Sequence, residues 1–219
     1  MSTANPMNAL VAQGVRFKVL AQVFPVLRHE VVGPLSNATL AAAMLRQSPE
    51  GADADTLQQR CHRLAGDLTG MLEDSVTIVR ELDQWLLDSG ATTSTQTLLR
   101  ECRKLMFSHL LLSRHSIVWP EDVADLQVPQ FTSRYLLLAW LLSLLSTLPA
   151  DAALTLDCSR ADVWHAHFPA LPDTAKAPAD APVAFPPEDI ELLAAASGWR
   201  LQRQAQCWSL HLPVTPAPA

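Results

Sequence analysis

Apolar residues recur every three or four positions along the first part of the chain. Leu20, Phe24, Leu27, Val31, Leu35, Ala38, Ala42 and Leu45 form one such series, the spacing of a single buried stripe. It predicts a long helix over residues 8–47. Pro25 and Pro34 fall inside it; a proline removes a hydrogen bond and presses on the preceding turn, so a kink near Pro34 is expected. The stretch SPEGADAD, 48–55, reads as a turn. A more regular series follows. Leu57, Cys61, Leu64, Leu68, Met71, Ser75, Ile78, Leu82 and Trp85 alternate steps of four and three, the 3.5-residue repeat of a supercoiled seam. Two long helices joined by a short turn make an antiparallel hairpin. A lone hairpin cannot cover both stripes, whereas two close into a four-helix bundle, so a homodimer through the hairpin is expected.

After DSGATTST, 88–95, the pattern changes. A helix over 95–114 leads to a short strand at Ile117–Trp119, a loop, and an apolar helix over 131–148. Strands follow near Leu154–Cys158 and Val163–Phe168, then a Pro/Ala-rich loop, 169–187. A helix over 188–197, capped by Gly198, precedes two alternating segments, Trp199–Ala205 and Cys207–Leu212, that read as a hairpin. The expected fold class is α+β: a helical hairpin over 8–90, then a two-layer α/β sandwich over 91–214, with a flexible tail at 215–219.

Composition narrows the function. Of 219 residues 49% are hydrophobic and 17% charged, with net charge −6, which excludes a disordered chain and speaks against nucleic acid as partner. The most apolar run, Leu136–Leu148, is short of the roughly 20 residues a membrane span needs, and the opening residues lack the features of a secretory signal. No membrane partner is expected. Cys61, Cys102, Cys158 and Cys207 are widely spaced with no ligand pattern, so reduced thiols, no bound metal and a cytoplasmic location are expected. His165 and His167 share a strand face without a third ligand, and His109 and His115 share no close face. Trp119, Trp140, Trp164, Trp199 and Trp208 suit core packing, and no nucleophile elbow of the GxSxG kind occurs.

The stretch Arg28-His29-Glu30-Val31-Val32-Gly33-Pro34-Leu35 carries the candidate chemistry. At about 100° per residue, His29 stands about 200° round from both Leu27 and Val31, on the face opposite the stripe and in water. An exposed neutral imidazole offers a ring nitrogen as nucleophile, and the neighbouring Glu30 carboxylate can orient the ring or accept its proton. Most exposed helical histidines are inert, so the residue alone does not decide.

The pattern His29-Glu30-x-x-x-Pro34-Leu35 on the first helix of a hairpin resembles the H-box of bacterial sensor histidine kinases. Residues 95–145 and Ile190–Leu212 resemble the opening and closing parts of their ATP-binding domain. The resemblance implies a phosphoacceptor His29, an orienting Glu30, and a receiver-docking face of Arg28, Val32, Gly33 and Ser36, with Val32 serving either as anchor or as flank of the core. It also exposes departures. Trp140 and Leu144 stand where family members carry the asparagines that hold Mg²⁺ and nucleotide, the DxGxG motif is absent, and Val183-Ala184-Phe185-Pro186-Pro187 replaces the Gly-rich lid. Gly33 replaces the Thr or Asn associated with phosphatase activity. No cofactor is therefore expected: no ATP, and Mg²⁺ only on the partner receiver. The chain resembles a histidine phosphotransferase passing phosphoryl groups between receiver aspartates. The alternatives are a non-catalytic pseudokinase that modulates a sensor kinase or response regulator, and a structural dimer in which the motif is coincidence.

Overall fold

The computed structural model describes residues 6–46, 53–149, 151–170 and 185–213. The tail at 215–219, most of the expected turn at 48–55 and most of the Pro/Ala-rich loop lie outside them. The chain divides into two compact units, Phe24–Leu87 and a second made of Asp88–Ala219 with Met1–Val23.

Helix α1, Pro6–Arg46, continues through both Pro25 and Pro34. Its buried residues are Ala12, Val15, Val19, Val23, Leu27, Ala38 and Ala41. This corrects the expected stripe: Phe24 is 51% exposed and Leu35 42%. The reason is that α1 is apolar on most sides, so several phases of the helical period compete and the small Val and Ala residues take the inner one. Leu10, Phe17, Leu40 and Met44 also stand exposed. Among the described residues α1 is the one helix long and apolar enough, by length and composition, to cross a membrane, with mean hydropathy 1.3 over an 18-residue window. The expectation that judged membrane potential on Leu136–Leu148 alone overlooked this segment. Core helices pass the same test, and Arg16 and Lys18 interrupt the segment.

Helix α2, Ala54–Leu86, starts at Asp53, whose carboxylate accepts the Thr56 backbone N–H at 2.8 Å. The heptad series holds along it: Leu64, Ser75 and Trp85 are buried and Leu57, Leu68, Met71, Ile78 and Leu82 half-buried. Cys61 is the departure, being exposed. In the Phe24–Leu87 unit the two helices are tied by Arg60, which donates to the Met44 carbonyl at 3.4 Å.

In the second unit α3, Thr95–Ser113, and α4, Gln130–Thr147, pack against each other, and α5, Pro187–Ala196, packs on α4. The sheet strands are β2 (Ser116–Val118), β4 (Ala153–Asp157), β5 (Val163–His167), β6 (Arg200–Gln204) and β7 (Cys207–His211). Their order is β2-β4-β5-β7-β6, with β2 parallel to β4 and every other pair antiparallel. Sequence patterning missed β1 (Thr92–Ser94) and β3 (Gln127–Pro129), which pair with each other across α3. Strand alternation sends Leu154, Leu156, Trp164, Ala166, Leu201 and Leu210 to one buried face. Trp164 and Trp199 meet edge to face at 5.6 Å there. Gly198, at φ +76°, takes the left-handed turn that ends α5. An ion pair between the buried Arg134 and the half-buried Glu101, Nε to Oε1 at 2.9 Å, joins α4 to α3.

Candidate functional site

His29 is exposed two residues beyond the buried Leu27, as the helical angles require. Arg28, Val32 and Ser36 are exposed with it, whereas Glu30 and Gly33 are half-buried. Val32 is 49% exposed, which puts its side chain outside the core. A methyl group placed on Gly33 would meet nothing within 4 Å, so open space lies one turn from the imidazole. Low relief around a nucleophile lets a partner helix approach closely. The structure thus brings His29, Arg28, Val32, Gly33 and Ser36 onto one accessible tract of α1.

The other half of the reading concerns α4. Every residue from Ser133 to Leu145 is buried, so this helix has no face left for a ligand. Trp140 and Leu144 are both fully enclosed. Between them Ser143 donates from Oγ to the Phe185 carbonyl at 2.8 Å, and Phe185 is itself buried just before α5. Val183 and Ala184 lie outside the described residues. Neither an indole nor a leucine supplies an oxygen ligand to a hard cation, and Pro186 and Pro187, having no N–H, cannot cradle phosphate. Among the described residues, Trp140 and Leu144 thus offer a Mg²⁺-nucleotide no side-chain oxygen, and Pro186 and Pro187 offer it no backbone N–H. The Ser143–Phe185 tie escaped sequence reading because its partners are 42 residues apart.

The four cysteines are free thiols. Burial pushes Cys158 up to about 12, with the Asp157 charge adding to it, and raises Cys102 well above the ordinary thiol range. Among the described residues no three metal-ligating side chains converge on one point.

No family model and no curated protein matches the chain. Solved structures that overlap it carry the name histidine kinase. AdeS of Acinetobacter baumannii is 12% identical over 86% of this chain and 98% of its own, with a TM-score of 0.42. A histidine kinase from Burkholderia phymatum STM815 is 14% identical over 95% of this chain and 97% of its own, at a TM-score of 0.36. ThkA, in complex with the response regulator protein TrrA, is 13% identical over 98% of this chain and 68% of its own, at 0.39. Overlaps this loose carry no functional weight. The functional reading rests on the chain's own residues, and its order of elements, a hairpin and then an α/β unit, is the one the H-box resemblance implies.

Proposed function

We propose that this chain is a cytoplasmic histidine phosphotransferase of a two-component phosphorelay, with His29 carrying the phosphoryl group and no autokinase activity of its own. One observation carries the reading. The imidazole of His29 stands in water, while the positions that would serve a nucleotide, Trp140 and Leu144, are fully enclosed.

The reaction follows from that placement. The ring nitrogen Nε2 attacks the phosphorus of a receiver's aspartyl phosphate in line; the N–P bond forms as the P–O bond to the aspartate breaks, and the carboxylate leaves. Phosphorylation leaves the imidazole cationic while Nδ1 keeps its proton, and the Glu30 carboxylate orients the ring and offsets that charge. The receiver supplies its own divalent cation. Arg28, Val32, Gly33 and Ser36 form the docking face, so the chain contributes nucleophile and position rather than a catalytic pocket. Reversal of the same step donates to a second receiver.

A homodimer through the hairpin suits the same reading. Phe24, Leu35, Leu40 and Met44 on α1 and Leu72, Val76 and Val79 on α2 are all exposed in the single chain. So large an apolar surface on one hairpin calls for a partner. The last three step by four and three, the spacing of a second seam.

The experiment is phosphoryl transfer from a ³²P-labelled receiver, followed on gels that preserve phosphohistidine. Label on the wild-type chain that disappears in His29→Ala, with dimer mass unchanged in sedimentation, is the expected result. A wild-type chain that takes no label from any receiver encoded beside it would sink the proposal in favour of a pseudokinase.

A further inference from the structure

The face of the sheet turned away from the helices carries an unclaimed cluster. Register places His165 of β5 opposite Asp157 of β4 and Ser209 of β7, and His167 opposite Cys207. His165 Nδ1 lies 2.8 Å from Ser209 Oγ and 3.7 Å from Cys207 Sγ, and Sγ lies 3.8 Å from that hydroxyl. The three atoms close a triangle. Beside it opens a hollow of about 580 Å³ lined by His167, Phe168, Gln204, Ala205, Gln206 and Cys207. The lining contains no carboxylate and offers two amides and an imidazole as hydrogen-bond donors.

We propose that Cys207 is a thiol-modification site that forms a mixed disulfide with a small disulfide compound seated in this hollow, with His165 as the proton acceptor. The thiol proton passes to Nδ1, which then donates to Ser209 Oγ, and the hydroxyl turns its hydrogen to the thiolate. The thiolate attacks one sulfur of the disulfide; the new S–S bond forms, the old one breaks, and the departing thiolate takes the proton from Nδ1. Atoms and electrons balance, because the incoming disulfide is the oxidant. Asp157 supports the transient imidazolium: hydrogen bonds from the Ser159 backbone and hydroxyl hold its carboxyl below the ordinary range, so it is charged at neutral pH. The other three thiols lack this arrangement. Cys102 and Cys158 are buried, and Cys61 stands exposed on α2.

The test incubates the full chain with oxidised glutathione at neutral pH and follows each cysteine by peptide mass spectrometry. Cys207 is expected to form its mixed disulfide about tenfold faster than Cys61, with Cys102 and Cys158 unmodified. His165→Asn keeps a polar group beside Ser209 and brings Cys207 down to the Cys61 rate, with the buried Cys102 and Cys158 still unmodified as the control for folding. Iodoacetamide, small and neutral, separates the hollow from the base: Gln204→Ala with Gln206→Ala slows the glutathione reaction but not alkylation. The proposal is overturned if Cys207 reacts no faster than Cys61 with either reagent, or if a folded His165→Asn leaves its rate unchanged.

Discussion

The claim that the nucleotide positions have become core can be tested by writing an asparagine back. Leu144 is fully enclosed at the centre of α4, among neighbours that are all buried. Leu144→Asn removes its apolar packing, a loss of about 2–4 kcal/mol on the scale of large-to-small core changes. It also places an amide where no water reaches, adding about 1–3 kcal/mol for the unmet hydrogen bonds. A total of about 3–7 kcal/mol is a large fraction of the roughly 5–15 kcal/mol that holds a typical domain together. With a urea slope of about 2 kcal/mol per molar, the midpoint moves down by about 1.5–3.5 M, or the cooperative transition disappears. Leu112→Asn is the matched control: Leu112 is 85% exposed, and the same change there costs less than about 0.5 kcal/mol. Mg²⁺-ATP is expected to raise the midpoint of neither the wild type nor Leu144→Asn, because a ligand stabilises only a state that binds it. A Leu144→Asn midpoint within about 0.5 M of wild type, or a rise with Mg²⁺-ATP, would show an open, wettable site and refute the reasoning.

Two further outcomes follow from buried polar groups. Glu101→Ala removes the carboxylate that pairs with Arg134, which is 3% exposed, and is expected to cost about 1–3 kcal/mol, whereas adding Arg134→Met recovers most of it; additive losses in the double-mutant cycle would contradict the coupling. His109 is held below its ordinary range, first by burial and then by the His115 charge, so folding favours its neutral ring. The unfolded chain binds the proton more readily, and the contribution is present above the unfolded value near 6.5 and lost as pH falls through the depressed folded one. Urea midpoints are therefore expected to drop between pH 7.5 and 5.5, and His109→Gln to flatten the drop; an unaltered slope in that variant would remove His109 from the account.

What was legible in the chain divides along physical lines. The α2 seam was readable because polar residues flank a single heptad phase, and only Cys61 strays from it. Helix α1 misled on phase because bulky residues such as Phe24 and Leu35 outweigh Val19 and Val23 in a sequence reading, while packing selects the slimmer side chains for the inner face. Strands β1 and β3 are three residues long and meet across an intervening helix, so no local period announces them. His29 was legible because exposure on a helix is angular arithmetic. The triangle of His165, Cys207 and Ser209 was not, since alternation assigns each residue a face but only the β5–β7 register sets one opposite another.

The same contrast bears on function. A nucleophile on a helix needs little beyond exposure and a docking surface, so it survives in a short motif that sequence displays. On the proposed reading a nucleotide would need an uncovered face of α4, and the burial of that helix from Ser133 to Leu145 is what speaks against one. Enclosure of α4 is also self-reinforcing. Once Trp140 and Leu144 are packed and Ser143 is tied to the Phe185 carbonyl, reopening the site would break the Oγ hydrogen bond and wet two large apolar side chains. These contacts make α4 a stable part of the scaffold, and they are why the proposed chemistry is placed at the surface, at His29 on the hairpin and at Cys207 on the open sheet face.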